Sequence, residues 1–201
     1  MSTKAEPTSF SFTPENLEKA KVVIARYPEG RQQSAVMPLL DLAQRQEGWV
    51  SQAVIETIGA MLDMAPIRVQ EVATFYTMYN LHPMGKHHVQ VCTNICCQLR
   101  DADGIADAVK FALGVEFGET SKDGLFTLSE VECLGACVNA PMMQIDDDYY
   151  EDLTPDSTRS ILDAFKQGQA PKPGPQNGRQ FSAPEGGPTT LLTLSHSSEK
   201  A

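Results

Sequence analysis

No stretch of this chain approaches the roughly 20 consecutive apolar residues that a membrane-spanning helix needs, so direct membrane contact is not expected. Cations are scarce as well. Lys and Arg number 16 against 26 Asp and Glu, giving a net charge of −10 and a pI near 4.8. A phosphate-binding face needs clustered Lys and Arg, so the balance argues against nucleic acid as a partner. The opening residues, Met1-Ser2-Thr3-Lys4-Ala5-Glu6-Pro7, lack both the apolar core of a secretory signal and the Arg-rich character of a transit peptide. They lead us to expect a chain in a reducing compartment, where five cysteines in 201 residues point to metal or redox chemistry rather than disulfides. The apolar fraction, 41%, is slightly low for a compact soluble protein, which a polar tail accounts for. Also missing are a C-x-x-C pair, a G-x-G-x-x-G or Walker loop, and any His one or two residues from a Cys.

What is present is organised around four cysteines in two pairs. Cys92 and Cys97 stand in Val91-Cys92-Thr93-Asn94-Ile95-Cys96-Cys97 as C-x4-C. Cys133 and Cys137 stand in Glu132-Cys133-Leu134-Gly135-Ala136-Cys137 as C-x3-C, with 35 residues between the pairs. Before them, apolar residues recur at helical spacing in four segments. The first is capped by Thr13 with Pro14 at its first position and runs through Leu17, Ala20 and Ile24 to a break at Tyr27-Pro28-Glu29-Gly30. Ser34 is expected to cap the second (Val36, Leu39, Leu40, Ala43), which Gly48 closes, with Trp49 plugging the connection. Ser51 opens the third (Val54, Ile55, Ile58, Met61, Leu62) and Pro66 the fourth (Val69, Val72, Ala73, Phe75, Tyr76, Tyr79). The fourth is apolar over most of its circumference, so its aromatics are expected to be core. The pattern is a helical bundle over residues 13–81, behind a loose segment 1–12.

Beyond the linker Leu81-His82-Pro83-Met84-Gly85 the period changes to two. Strands are expected at 88–92, 126–131, 142–145 and 149–151, and helices at 101–113 and from Pro155 through Ile161, Leu162 and Phe165. The order makes a small α/β sandwich over residues 86–167, with both cysteine pairs at the C-terminal ends of strands, where open α/β sheets place ligands. Asp146-Asp147-Asp148 with Glu151 and Asp152 reads first as a solvated acidic face and second as a docking patch for a basic surface. In residues 168–188, 10 of 21 are Gly or Pro, so the tail 168–201 is expected to be disordered or extended, or to lie along a partner.

Four thiolates from two loops suit a [2Fe–2S] cluster, which needs two ligands per iron. A structural zinc site more often uses C-x2-C pairs, so spacing favours iron–sulfur without closing off zinc. Rieske ligation lacks the necessary His, and His82, His87, His88 and His196 read as surface or core residues. Four thiolates leave no open position for a substrate, so the centre passes single electrons. Spacing alone does not choose between Cys96 and Cys97, since C-x3-C is sterically possible too.

The two cysteine motifs, the second extending to Val138-Asn139-Ala140-Pro141, together with Glu71-Val72-Ala73-Thr74-Phe75-Tyr76-Thr77-Met78-Tyr79, resemble the small [2Fe–2S] subunit of respiratory complex I over residues 12–175. The resemblance implies an α/β (α+β) chain in which a helical bundle precedes a thioredoxin-like [2Fe–2S] ferredoxin domain and an extended tail. It implies Cys92, Cys97, Cys133 and Cys137 as cluster ligands, with Cys96 a spectator. It implies a non-autonomous subunit of an NADH:quinone oxidoreductase (a translocase), with no substrate site of its own. The implied partners are the subunit that binds FMN and NADH and the neighbouring large iron–sulfur subunit. Nucleotide binding on that neighbour agrees with the missing phosphate loops here. The implied location is peripheral, on the cytoplasmic side of a bacterial inner membrane or on the matrix side for an organellar chain. Subunits of NAD-linked hydrogenases and formate dehydrogenases share the design. Pro141 is expected to be cis, as in thioredoxin-like folds.

Overall fold

The computed structural model describes residues 5–187 and 189–190. The chain divides into two compact units, one ending at Met84 and the other opening at Gly85.

The first unit holds α1 (Pro14–Ile24), α2 (Val36–Glu47), α3 (Gln52–Leu62) and α4 (Pro66–Phe75). Local chemistry sets most of the ends. The Thr13 side chain accepts from the Asn16 N–H, Ser51 accepts from the Val54 N–H, and Gly48 closes α2 at φ 86°. Such caps satisfy backbone groups that a helix terminus leaves unpaired. The core gathers Ala20, Leu39, Leu40, Ala43, Val54, Ile58, Leu62, Val69 and Ala73, and Trp49 is buried in the connection.

Three expectations for this unit need correction. Ser34 does not cap α2; it lies inside a 3₁₀ turn, Gln32–Ala35, that runs straight into the helix, so i→i+3 bonds replace a side-chain cap. Of the segment 1–12, residues 1–4 lie outside the described residues, and residues 5–12 are not loose. Phe12 is buried against the ring of Phe10, the Phe10 carbonyl accepts from Thr57, the Ser11 carbonyl from Gln46, and the Glu6 carboxylate from the Gln52 N–H. The fourth helix is not buried on several sides. Only Val69 and Ala73 are buried within it, and Phe75 is 76% exposed. The helix stops there because Tyr76 turns to extended backbone, φ −93° and ψ 112°. That turn sends Tyr79 inward, where its hydroxyl donates to the Met37 carbonyl at 2.9 Å, and leaves Phe75 and Met78 outside.

The second unit is a five-stranded sheet ordered β2-β1-β3-β4-β5, built from β1 (His87–Cys92), β2 (Phe126–Val131), β3 (Met143–Ile145), β4 (Asp148–Glu151) and β5 (Gly174–Pro175). Strands β1 and β2 are parallel, β3 is antiparallel to both β1 and β4, and β5 is parallel to β4. A short α5 (Ile95–Gln98), α6 (Ala102–Leu113) and α7 (Pro155–Lys166) complete it. Thr154 and Ser157 form a reciprocal capping box at the start of α7, and Gly114 ends α6 at φ 66°. Val89, Val91, Ile105, Val109, Phe126, Leu128, Ile145, Tyr150, Ile161 and Leu162 form one core between the sheet and the helices. At Gly85, where the unit begins, an added Cβ would stand 2.8 Å from the Phe126 carbonyl carbon, so the entry to β1 demands glycine.

The expected α/β architecture is what the chain adopts. The Ala140–Pro141 peptide is cis, as anticipated. One acidic residue, Asp152, departs from the solvated reading, while Asp146, Asp147 and Asp148 are exposed. Asp146 bonds back to the His87 ring at 2.7 Å and to the His88 N–H at 2.9 Å, and Asp152 is buried in an ion pair with Arg179. The tail is not wholly free. Residues 174–175 join the sheet as β5, and the segment as far as residue 185 bonds to the domain. Residues 188 and 191–201 of that tail lie outside the described residues.

Candidate iron–sulfur centre

Parallel pairing of β1 with β2 sets Cys92 opposite Val131, so both strands deliver their cysteine loops to one edge of the sheet. After Cys92 the Thr93 N–H donates to the Val131 carbonyl, and the Asn94 side chain accepts from the Ile95 N–H at the start of α5, which carries Cys96 and Cys97. On the other loop, Gly135 takes φ 82° and its N–H points at Cys133 Sγ, 3.3 Å away. Tyr149 donates its hydroxyl to the Leu134 carbonyl at 2.8 Å and so ties this loop to β4. Cys137 opens a single 3₁₀ turn, Cys137–Asn139, that has no side-chain cap.

The five thiols are unequal. Cys92 and Cys97 are buried among Ala102, Ala140 and Met142, Cys96 is half-buried, and Cys133 and Cys137 are exposed. Cys97 lies against Cys92 and within electrostatic reach of Cys137. Burial, with the Cys92 neighbour second, pushes its thiol up to about 12. Cys137 lies beside both Cys96 and Cys133, and those neighbours push its thiol up in that order. The structure therefore gathers all four expected ligands, and it places Cys96 among them too. The thiols form a soft donor set of the kind two bridged irons need, with a backbone N–H aimed at one sulfur. On chemistry and placement the residues fit a [2Fe–2S] cluster.

Sequence reasoning missed Asn139, Asp152 and Arg179, which bond to one another beside Cys137. Nothing local could have found them, because 27 residues separate Asp152 from Arg179.

A family model for thioredoxin-like [2Fe-2S] ferredoxins matches residues 20–166. The chain belongs to this family. Among relatives of this ferredoxin, the mitochondrial NADH dehydrogenase (ubiquinone) flavoprotein 2 of Dictyostelium discoideum is 50% identical over 188 residues, covering 93% of this chain and 76% of that protein. A subunit of the NADH-quinone oxidoreductase of Rickettsia bellii is 52% identical over 160 residues, 79% of this chain and 96% of its own length. Among solved structures, an NAD+-reducing [NiFe]-hydrogenase in the air-oxidised state superposes with a TM-score of 0.57 at 12% identity, over 65% of this chain and 23% of that longer one. That likeness is one of fold alone.

Proposed function

We propose that this chain is the one-electron carrier subunit of an NADH:quinone oxidoreductase, and that Cys92, Cys97, Cys133 and Cys137 hold its [2Fe–2S] cluster. The observation that carries the reading is the meeting of both cysteine loops at one sheet edge, in a chain about half identical to subunits of such enzymes over most of its length. When bound, such a cluster accepts and returns one electron at a time.

The protein's part is to bind and to shield. Cys92 and Cys97 would hold the cluster from within the apolar wall of Ala102, Ala140 and Met142, and Cys133 and Cys137 would hold it from an exposed loop. Gly135 donates its N–H to the Cys133 sulfur, an interaction of the type that tunes potential. Around this edge Ile95, Leu99 and Val138 are 66–80% exposed, apolar cover of the kind a docked partner supplies. The partners in this reading are the subunit that binds FMN and NADH and the neighbouring large iron–sulfur subunit. Among the described residues no helix is long and apolar enough to cross a membrane. Attachment at the cytoplasmic or matrix face would then run through those partners.

The test is anaerobic purification followed by iron and acid-labile sulfide analysis, then EPR after adding the flavin subunit and NADH. We expect two irons, two sulfides and a reducible signal. A colourless chain with one zinc and no sulfide overturns the reading.

A further inference from the structure

The turn Cys137–Asn139 is three residues long and has no cap of its own, so something else must hold it. The residues that do so come from the C-terminal segment. The Arg179 guanidinium, with its side chain only 7% exposed, spans the Asp152 carboxylate: Nε donates to Oδ2 at 2.9 Å and Nη2 to Oδ1. The same Nη2 donates to the Val138 carbonyl at 3.2 Å. Asn139 is buried and donates from Nδ2 to the Phe181 carbonyl at 2.9 Å and to Asp152 at 3.3 Å, while its own carbonyl accepts from the Asp152 N–H at 2.8 Å. Both residues that follow Cys137 are thereby fixed by Asp152 and by residues 179–181. Farther along the same segment, Glu185 reaches Arg100, whose N–H donates to the Cys97 carbonyl.

We infer that residues 174–185 form a strap across the cysteine edge, and that Arg179 is a positioning residue for Cys137. This rests on the reading that Cys137 is a cluster ligand. Arg suits the role where Lys does not, because one planar fork satisfies both carboxylate oxygens and a backbone carbonyl together. Without it the turn keeps its bonds to Asp152 but loses the anchor on Val138, and the buried carboxylate loses its counter-charge. Cys137 then swings away from a bound cluster more often, opening it to solvent and to chelators.

The experiment uses the full chain with its cluster reconstituted, in wild type, Arg179→Gln, Arg179→Lys, the double variant Asp152→Asn/Arg179→Gln, and Ile161→Val as a core-trimmed control away from the cysteine loops. Cluster loss to an iron chelator is followed by visible absorbance, beside the EPR line shape of the reduced state and thermal melting. Perturbing residues that orient metal ligands characteristically costs about 10–100-fold in metal affinity. We expect Arg179→Gln to lose its cluster about tenfold faster than wild type with a broadened EPR signal, and Arg179→Lys to fall between. The double variant removes the stranded charge, so it melts closer to wild type yet still loses its cluster fast. Ile161→Val, although less stable, keeps the wild-type rate and line shape. Wild-type chelation rate and EPR in the double variant overturn the inference, as does a rate that simply follows melting temperature across all variants. A wild-type chain without inorganic sulfide fails earlier, at the cluster reading itself, and the inference falls with it.

Discussion

Cys96 and Cys97 are adjacent in the chain, and their environments separate them. Cys97 is buried beside Cys92, whereas Cys96 is half-buried and leans on Cys137. Serine at Cys97 is therefore expected to abolish stable cluster binding, while Cys96→Ser keeps near-wild-type iron and sulfide; the reverse pattern in metal analysis would reassign the ligand. The raised Cys97 thiol also has a consequence for the cluster-free chain. Its ordinary value is 9.0 and its folded value about 12, so the folded state disfavours the thiolate. The stability it contributes is fully present below about pH 9 and is lost as pH rises towards about 12. Urea midpoints of the apo chain should fall more steeply over that window than those of apo Cys97→Ala, and equal slopes would contradict the assignment. The spacings pointed to two cysteine groups without any coordinates, and the family resemblance implied Cys97 rather than Cys96 within the first. What spacing could not convey is that the four thiols divide into a buried pair and an exposed pair, because burial depends on Ala102, Ala140 and Met142 arriving from elsewhere.

Helices α1, α3 and α7 begin at the caps their sequences offer, since a cap acts within one turn and is written in adjacent residues. The Thr154 and Ser157 box at the start of α7 satisfies donors in both directions, so Thr154→Ala should cost about 1 kcal/mol in denaturant unfolding. Where an element's fate depended on a neighbour, local pattern misled. The apolar fourth segment looked like core all round, yet Phe75 stands 76% exposed with its ring edge-on to Tyr76. Phe75→Ser is accordingly expected to change stability by no more than about 0.5 kcal/mol. A loss of several kcal/mol in urea unfolding would instead mark Phe75 as core. The Pro/Gly-rich tail is the opposite case. Its composition forbids a core of its own, and so it gives no hint that Gly174 and Pro175 pair with Tyr150 and Glu151 or that Arg179 finds a buried carboxylate.

At the scale of the molecule, all five thiols, the sheet that aligns them and the segment that straps them lie in the unit that opens at Gly85. A chain beginning at Gly85 should fold and hold the chromophore with the wild-type visible spectrum, and a colourless product would show that the helical unit is needed to build the centre. In the proposed assembly the exposed apolar residues Ile95, Leu99 and Val138 beside the cysteine loops offer a surface for a partner. By itself the sequence determined what short-range chemistry decides: the capped starts of α1, α3 and α7, the switch from a period near four to a period of two, and the two cysteine groups from which the proposed ligands come. Only the tertiary structure decided which apolar faces are covered, that residues 5–12 and 174–185 are held in place, and that Arg179 meets Asp152. Those outcomes are sums over contacts between residues distant along the chain, and no window of neighbouring residues contains them.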